Sequence, residues 1–124
     1  MTMVDITRKP EVQRQATAKG QIKLKPATIT RIKQKKIEKG DPFTVAKVAG
    51  ILAAKNTSQL IPLCHPLPLT NVDVELKVLN ASTVEAEATV KTKAQTGVEM
   101  EALAAVSTAL LTVWDMTKQY EKGG

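Results

Sequence analysis

VDVELKVLNASTVEAEATV, residues 72–90, alternates apolar and polar side chains in two runs. A period of two is typical of a β-strand that buries one face only. The two runs are joined by Asn80-Ala81-Ser82, a short polar segment suited to a tight connection. We therefore expect a β-hairpin with one face on the core and the other in water. The inward side chains are predicted to be Val72, Val74, Leu76, Val78, Val84, Ala86, Ala88 and Val90.

A helix is predicted on the N-terminal side of the hairpin, starting at Asp41-Pro42. Aspartate is a good N-cap, and proline fits the first helical position. Gly50 inside this helix costs about 1 kcal/mol relative to alanine, which suggests close approach to another backbone. Apolar residues at helical spacing predict the face that packs on the core: Val45, Val48, Ala49, Leu52 and Ala53.

A second helix is predicted after the hairpin. Thr96-Gly97-Val98-Glu99 matches a capping box, with Thr96 as the cap and Glu99 three residues later. An apolar stripe continues this helix to about Lys118. The stripe consists of Leu103, Val106, Leu110, Val113 and Trp114.

The remaining segments are less regular. Residues 1–13 are polar and are expected to form an irregular arm, and residues 14–25 are a weak strand interrupted by Gly20. Isoleucines at 29, 32 and 37 predict a short helix, followed by a basic loop over 33–39. Three prolines within residues 60–69 forbid a helix or a central strand, so an extended apolar loop is expected there.

This order of elements predicts an α+β fold, with an antiparallel sheet and helices packed on one face. It matches the ferredoxin-like βαββαβ order except for the final strand. The chain stops at Gly123-Gly124, where that strand should begin, so we expect a truncated C-terminal end. A length of 124 residues fits one domain over 1–124.

The composition favours some classes of binding partner and excludes others. The net charge of +6 favours anionic partners, whereas 2% aromatic residues are too few for a nucleic-acid binder that stacks bases. One cysteine excludes an intrachain disulfide and suits a reducing compartment. No signal peptide and no apolar stretch of about 20 residues are found, so a cytoplasmic protein without membrane contact is expected.

The common nucleotide and metal motifs are missing. The glycines form neither a Walker A loop nor a dinucleotide fingerprint. Cys64 and His65 lack further Cys or His partners, so no metal site is expected. His65 is either a packed, hydrogen-bonded ring or a proton donor held by prolines.

Charged residues form three further groups. Lys39 and Asp41 precede a helix start, where they either bind an anion or act as a solvated lysine and an ordinary cap. Glu99 is expected to cap its helix or project toward the apolar stripe. Glu101, about 200° around the helix, is a surface or a working carboxylate.

The third group lies at the other end of the same helix. Asp115 and Lys118 form either an exposed ion pair or a site for proton transfer. Glu101 and Asp115 are about 21 Å apart along the helix, so a compact site cannot contain both from one copy. Either the two groups are unrelated, or subunits pack so that pockets form at their interfaces.

Six motifs occur together in this order and carry a family resemblance. The sequence resembles the cyclic pyranopterin monophosphate synthase family, the molybdenum cofactor biosynthesis protein C, from Met3 to about Lys118. The LCHP and TGVEMEA strings are the most specific of the motifs. They read MVDI (3–6), KGD (39–41), AGILAAK (49–55), LIPLCHPL (60–67), TGVEMEA (96–102) and WDMTK (114–118).

This resemblance implies a ferredoxin-like homohexamer, built as a trimer of dimers, with active sites between subunits. The implied reaction converts 3′,8-cyclo-7,8-dihydroguanosine 5′-triphosphate to cyclic pyranopterin monophosphate, releasing pyrophosphate without a metal or organic cofactor. Many family members carry a later Gly-Gly-Lys-Ser-Gly segment with a further lysine, and this chain ends at Lys122-Gly123-Gly124 without it.

The resemblance also implies the site residues. Lysines and Arg14 would bind phosphates, a glutamate would accept hydrogen bonds from the purine-derived ring, and Lys118 held by Asp115 would transfer protons. The residues carried over as catalytic are Lys39, His65, Asp115 and Lys118. Those carried over as substrate-binding are Asp5, Lys9, Arg14, Asp41, Leu63, Cys64, Glu99, Met100 and Glu101.

Two alternatives remain open from the residues themselves. A basic ferredoxin-like module could bind nucleic acid through the 33–39 loop and lysines 23 and 25. An inactive subunit that only oligomerises is the other. The shortage of aromatic rings and the clustered carboxylates argue against the first.

Overall fold

The computed structural model describes residues 1–122, which contain three strands and four helices. The elements are β1 (Val12–Lys23), α1 (Pro26–Lys33), α2 (Pro42–Lys55), α3 (Thr57–Leu60), β2 (Leu69–Asn80), β3 (Thr83–Ala94) and α4 (Glu99–Glu121). The irregular arm comprises residues 1–11, and residues 61–68 form the expected loop before β2. The short helix α3 was not predicted, since four residues carry no periodic pattern.

The predicted hairpin is confirmed. β2 and β3 pair in antiparallel register, with Val74 opposite Ala88 and both side chains buried. The connection is closed by the Ser82 N–H group, which donates to Oδ1 of Asn80 at 3.0 Å. Alternation therefore correctly separates the core face from the polar face.

The sheet has the order β1-β3-β2, and both strand pairs are antiparallel. Together with the helix order, this confirms the α+β class and matches the ferredoxin-like motif without its fourth strand. The expected position of that strand, at Gly123 and Gly124, lies outside the described residues.

Helices α2 and α4 form the second layer. Helix α4 lies against β1 and β3, and α2 lies against β2 and α4. The opposite face of the sheet carries exposed ion pairs, such as Lys19–Glu87 at 3.2 Å. None of the helices among residues 1–122 is both long and apolar enough to cross a membrane.

The predicted inward face of α2 is wrong at its three large residues. Val45, Val48 and Leu52 are about half exposed. The buried side of the helix consists instead of small residues, among them Ala46, Gly50, Ala53 and Ala54. Of the predicted stripe, Ala53 is buried and Ala49 is half-buried.

The predicted stripe of α4 is partly wrong for the same reason. Val106 and Val113 are buried and Leu110 is half-buried, but Leu103 and Trp114 are exposed. Alanines 102, 105 and 109 fill the buried face in their place. Two helices that approach closely accept only small side chains between them, so the larger residues lie on the outer surface.

Gly50 accounts for this close approach, as the sequence suggests. A Cβ atom at Gly50 would lie 3.0 Å from the carbonyl oxygen of Ala105 and 3.3 Å from the Val74 side chain. At Gly20, a Cβ atom would lie 2.8 Å from the Val106 side chain, so the side chains of α4 fill the space above β1 at this position. These two glycines let α4 contact both α2 and the sheet.

The segment around α1 is attached to the end of α4. The Arg31 guanidinium lies 4.4 Å from the centre of the Tyr120 ring, and the Glu38 N–H group donates to the Tyr120 oxygen at 2.9 Å. The Glu121 carboxylate accepts from the Lys25 N–H group at 3.1 Å. These contacts place the 33–39 loop beside the last turns of α4.

The helix contact at Gly50 can be tested by stability. Gly50→Val should lower the free energy of unfolding by about 1–3 kcal/mol, because the added methyl groups overlap Ala105 and Val74. The matched control is Lys55→Val at an exposed position of the same helix, where only helix propensity changes. Urea denaturation measures both, and equal losses would contradict the close contact.

Candidate functional site

A cavity of about 300 Å³ lies where the N-terminal arm, the 61–68 loop and the start of α4 meet. We call it the arm cavity. It brings together seven of the predicted site residues: Lys9, Leu63, Cys64, His65, Glu99, Met100 and Glu101. Val4, Ile6, Leu67, Thr96 and Gly97 complete its wall.

Glu101 is the buried acid of the arm cavity. Only 3% of the residue is exposed, and its Oε2 atom lies 3.8 Å from the Cys64 sulfur. Burial raises the pKa of Glu101 above the ordinary glutamate value, and the nearby Glu99 adds to the rise. Burial likewise raises the pKa of the Cys64 thiol, and Glu101 adds to that rise, so the sulfur is not an activated nucleophile.

Glu99 does not project toward the apolar stripe, and Glu101 is not a surface residue, so the working alternative for Glu101 stays a prediction. Glu99 is exposed, whereas Glu101 faces the interior. The reason is that α4 buries its alanine face instead of the predicted stripe of large apolar residues, and Glu101 lies on that alanine face.

The predicted capping box is also wrong. Helix α4 begins at Glu99 after Val98, and no side chain caps it. The Glu99 side chain instead turns back over Gly97, where a Cβ atom would overlap its carboxylate. Thr96 and Gly97 therefore belong to the cavity wall rather than to the helix.

His65 attaches the arm to the cavity. Its Nε2 atom lies 2.7 Å from the carbonyl oxygen of Val4, so this ring nitrogen carries the proton and donates. The ring is hydrogen-bonded, as the packed-ring alternative requires. This contact holds Val4 and Ile6 against the cavity.

Asp5 lies in the arm but is engaged in its own turn. Its carboxylate accepts from the Thr7 hydroxyl and from the Thr7 N–H group, the latter at 2.9 Å. These two bonds lower the pKa of Asp5, so the group is ionised near neutral pH. Asp5 is fully exposed and does not line the arm cavity.

A second group of predicted residues forms at the other end of α4. Lys39 donates to the backbone carbonyl of Asp115 at 2.8 Å, and Lys118 lies 2.9 Å from Oδ1 of Asp115. We call these three residues the lysine cluster. Of the two alternatives for Asp115 and Lys118, the exposed ion pair is present in the structure, and a role in proton transfer stays a prediction.

The Asp115 carboxylate is electrostatically stabilised in the lysine cluster. The hydrogen bond from Lys118 and the charge of Lys118 lower the pKa of Asp115, and Lys39 lowers it further. Asp115 is therefore ionised at neutral pH.

Asp41 has a structural role next to the lysine cluster. Its carboxylate accepts from the Phe43 N–H group at 3.0 Å and from the Thr44 hydroxyl at 3.0 Å, which confirms the ordinary cap. Partial burial acts to raise the pKa of Asp41, but the Thr44 and Phe43 bonds outweigh it and the pKa is lowered.

Arg14 belongs to neither group. Its guanidinium donates to the carbonyl oxygens of Ala94 at 3.3 Å and Gln95 at 3.5 Å. These residues directly precede Thr96, so Arg14 lies beside the arm cavity without lining it. It borders a separate depression of about 410 Å³ that also includes Lys91 and Lys93.

The two groups are far apart in one chain. Glu101 and Asp115 are fourteen residues apart on α4, which at 1.5 Å per residue is about 21 Å. No three potential ligands among His, Cys, Asp and Glu come together as a metal site within residues 1–122. The candidate site residues therefore form two separate groups, the arm cavity and the lysine cluster, at opposite ends of α4.

Sequence reasoning missed the apolar wall of the arm cavity. Val4 and Ile6 lie within the MVDI motif, so the motif itself was the available signal. Their contact with the 61–68 loop depends on a hydrogen bond between residues 61 positions apart, which no local pattern reveals.

Comparison with known proteins assigns the chain to a family. A protein from Sulfurisphaera tokodaii named probable cyclic pyranopterin monophosphate synthase is 58% identical over 120 residues, which cover 97% of this chain and 79% of that protein. A cyclic pyranopterin monophosphate synthase from Parvibaculum lavamentivorans is 54% identical over 122 residues, or 98% of this chain and 76% of that protein.

A protein from Methanothermobacter thermautotrophicus is named a probable accessory protein of the same synthase. It is 54% identical over 120 residues, which cover 97% of this chain and 75% of that protein. The family model of the MoaC family matches residues 3–124. The chain belongs to the MoaC family.

Proposed function

We propose that this chain is a cyclic pyranopterin monophosphate synthase, a lyase of molybdenum cofactor biosynthesis. It converts 3′,8-cyclo-7,8-dihydroguanosine 5′-triphosphate to cyclic pyranopterin monophosphate and releases pyrophosphate. The observation that carries this proposal is the pairing of Lys39 and Lys118 around Asp115 at one end of a helix whose other end holds Glu101. Each of these residues lies in one of the sequence motifs that carry the family resemblance.

The lysine cluster supplies positive charge and a proton donor. Lys118 is partly exposed, so its ammonium group is accessible to a ligand while Asp115 holds it in place. A triphosphate needs such cations for binding, and the departing pyrophosphate develops charge that they stabilise. Rebuilding the purine-derived ring requires proton transfers, for which Lys118 is the best placed group.

The arm cavity supplies recognition of the ring. Glu99 and Glu101 accept or donate hydrogen bonds along its polar edge, while Leu63, Cys64 and Met100 form the wall beside them. His65 donates to a phosphate or leaving group once its Nε2–H group is released from the Val4 carbonyl. Lys9, Arg14 and Asp5 complete the charged surroundings, with Asp41 holding the segment after Lys39.

We propose that the active site forms between subunits of a homohexamer arranged as a trimer of dimers. Catalytic groups must lie within about 3–3.5 Å of the atoms they act on, which a separation of about 21 Å along α4 prevents in one copy. Exposed apolar side chains on the outer helix surface support association: Val45, Val48, Leu52, Leu111 and Trp114. The reaction takes place in the cytoplasm and uses no metal or organic cofactor.

The alternative of a nucleic-acid-binding module gains no support. The curated relatives described above are named synthases or an accessory protein of the synthase, and none is named a nucleic-acid-binding protein. Arg31, in helix α1 just before the basic loop, is already held against the Tyr120 ring.

Turnover of the cyclic guanosine triphosphate derivative tests the proposed reaction. Lys118→Ala and Asp115→Ala should each reduce kcat/KM by at least about 100-fold, because each removes part of the proton-transfer pair. The matched control is Lys47→Ala, which breaks a similarly exposed ion pair with Glu75 and should leave turnover unchanged. Formation of the pterin and pyrophosphate is followed together, and full activity in both cluster variants would refute the assigned roles.

The electrostatics of the lysine cluster can be tested without substrate. Lys118→Ala should raise the pKa of Asp115, because Lys118 provides the largest stabilisation of its carboxylate. Lys39→Ala should raise it by less. Titration of the Asp115 carboxyl carbon by NMR measures the shift, and the carboxylate protonates at higher pH in both variants. An unchanged titration in Lys118→Ala would show that the ion pair does not form in solution.

A further inference from the structure

The carboxyl group of Glu101 has one oxygen atom that the fold leaves without a partner. Glu101 is 3% exposed, and its Oε1 atom is fully buried without a hydrogen bond. Leaving a buried oxygen unpaired is costly, and an unpaired buried carboxylate charge costs far more. The carboxyl group is therefore stable there in its neutral form, which carries an O–H group and can donate to a ligand.

The other oxygen, Oε2, is held by a neighbouring thiol. The Cys64 sulfur lies 3.8 Å from Oε2 and 3.7 Å from the His65 carbonyl oxygen, so its single S–H proton has two acceptors within reach, and the proposal requires donation to Oε2. Donation from the S–H group to Oε2 stabilises the ionised form and lowers the pKa of Glu101, although burial outweighs this effect. When the thiol donates to Oε2, it leaves Oε1 as the free oxygen and limits how far the pKa of Glu101 rises.

The charged groups facing Glu101 do not neutralise it. Glu99 on the same helix raises the pKa of Glu101 through repulsion. Lys9 of the arm and His65 of the 61–68 loop border the same cavity, but neither forms an ion pair with Glu101 in the described part of the chain. Cys64 is its one side-chain hydrogen-bond partner within residues 1–122.

We propose that Cys64 is a positioning residue that binds Oε2 of Glu101 and leaves Oε1 protonated, ready to donate to an acceptor atom of the substrate ring. This inference rests on the proposed function for its substrate. The cysteine of the LCHP motif would then have a positioning role in addition to packing. The thiol itself neither attacks nor transfers a proton.

Infrared spectroscopy of the full-length protein tests the protonated carboxyl group directly. Among the described aspartates and glutamates with a shifted pKa, Glu101 alone has a raised one, so a carbonyl band of neutral carboxyl should persist above the range in which ordinary carboxyls ionise, about pH 4–5. Glu101→Gln should abolish this band. Glu99→Gln should retain it with a lower midpoint, because one repelling charge is removed.

The Cys64 variants then separate positioning from packing. Cys64→Ala should move the midpoint of the band to higher pH, since the donor to Oε2 is lost. Cys64→Ser should move it to lower pH, because a hydroxyl is the stronger donor. A midpoint equal to wild type in Cys64→Ser refutes the proposal even if Cys64→Ala does not fold, and a lower midpoint in Cys64→Ala refutes it as well.

Enzyme kinetics connect the inference to the reaction. If protonated Glu101 donates to the substrate, kcat/KM falls as the pH rises through the pKa of Glu101. This decline in kcat/KM should move to higher pH in Cys64→Ala and to lower pH in Cys64→Ser. If the variants are active and their kcat/KM declines at the same pH as in the wild type, the inference about Cys64 and Glu101 is refuted, whereas the proposed function is not. No turnover in wild type would instead refute the proposed function, while the infrared result would still decide the protonation of Glu101.

Discussion

The close packing of α4 against α2 and β1 determines the positions of the candidate site residues on α4. Gly50 and Gly20 remove the side chains that would otherwise keep α4 away from its neighbours. A 23-residue helix held along its length in this way cannot bend to bring its ends together. Its two ends therefore present two separate chemical environments, one acidic and buried and the other cationic and accessible.

The close packing of α2 against α4 also explains why large apolar residues lie on the outer surface of the helix layer. When alanines and glycines fill the contact between α2 and α4, the larger apolar residues of both helices lie on the side away from the sheet. Val48 and Leu52 are each 54% exposed and lie one helical turn apart, so they form part of a contiguous exposed apolar patch. Such a surface is suited to a second copy, so the geometry of the fold and the proposed shared site have one physical origin.

Much of the fold could be predicted because its patterns are local. The alternation over 72–90 gives both hairpin strands and their inward faces, and Asp41-Pro42 gives the start of α2. The inward faces of α2 and α4 could not be predicted correctly, because a stripe of large apolar residues does not reveal how closely two helices approach. That distance depends on Gly50 meeting Ala105, a contact between segments far apart in the sequence.

The candidate site was predictable in its residues but not in its geometry. The motifs that carry the family resemblance supplied Lys39, Asp115 and Lys118, and the structure brings these three together. The burial of Glu101 was not predicted, since it follows from the alanine face of α4. The contact of His65 with Val4 was equally hidden, because it joins the arm to a distant loop.

Mixed assemblies test most directly whether both ends of α4 act in one site contributed by two copies. Inactive Glu101→Ala and Lys118→Ala proteins are unfolded together, refolded as a mixture in equal amounts, and assayed beside each protein treated alone. Random pairing should restore about a quarter of wild-type activity, because one site in four then receives an intact Glu101 and an intact Lys118 from different copies. Activity that stays at the level of the separate variants would contradict a site shared between subunits.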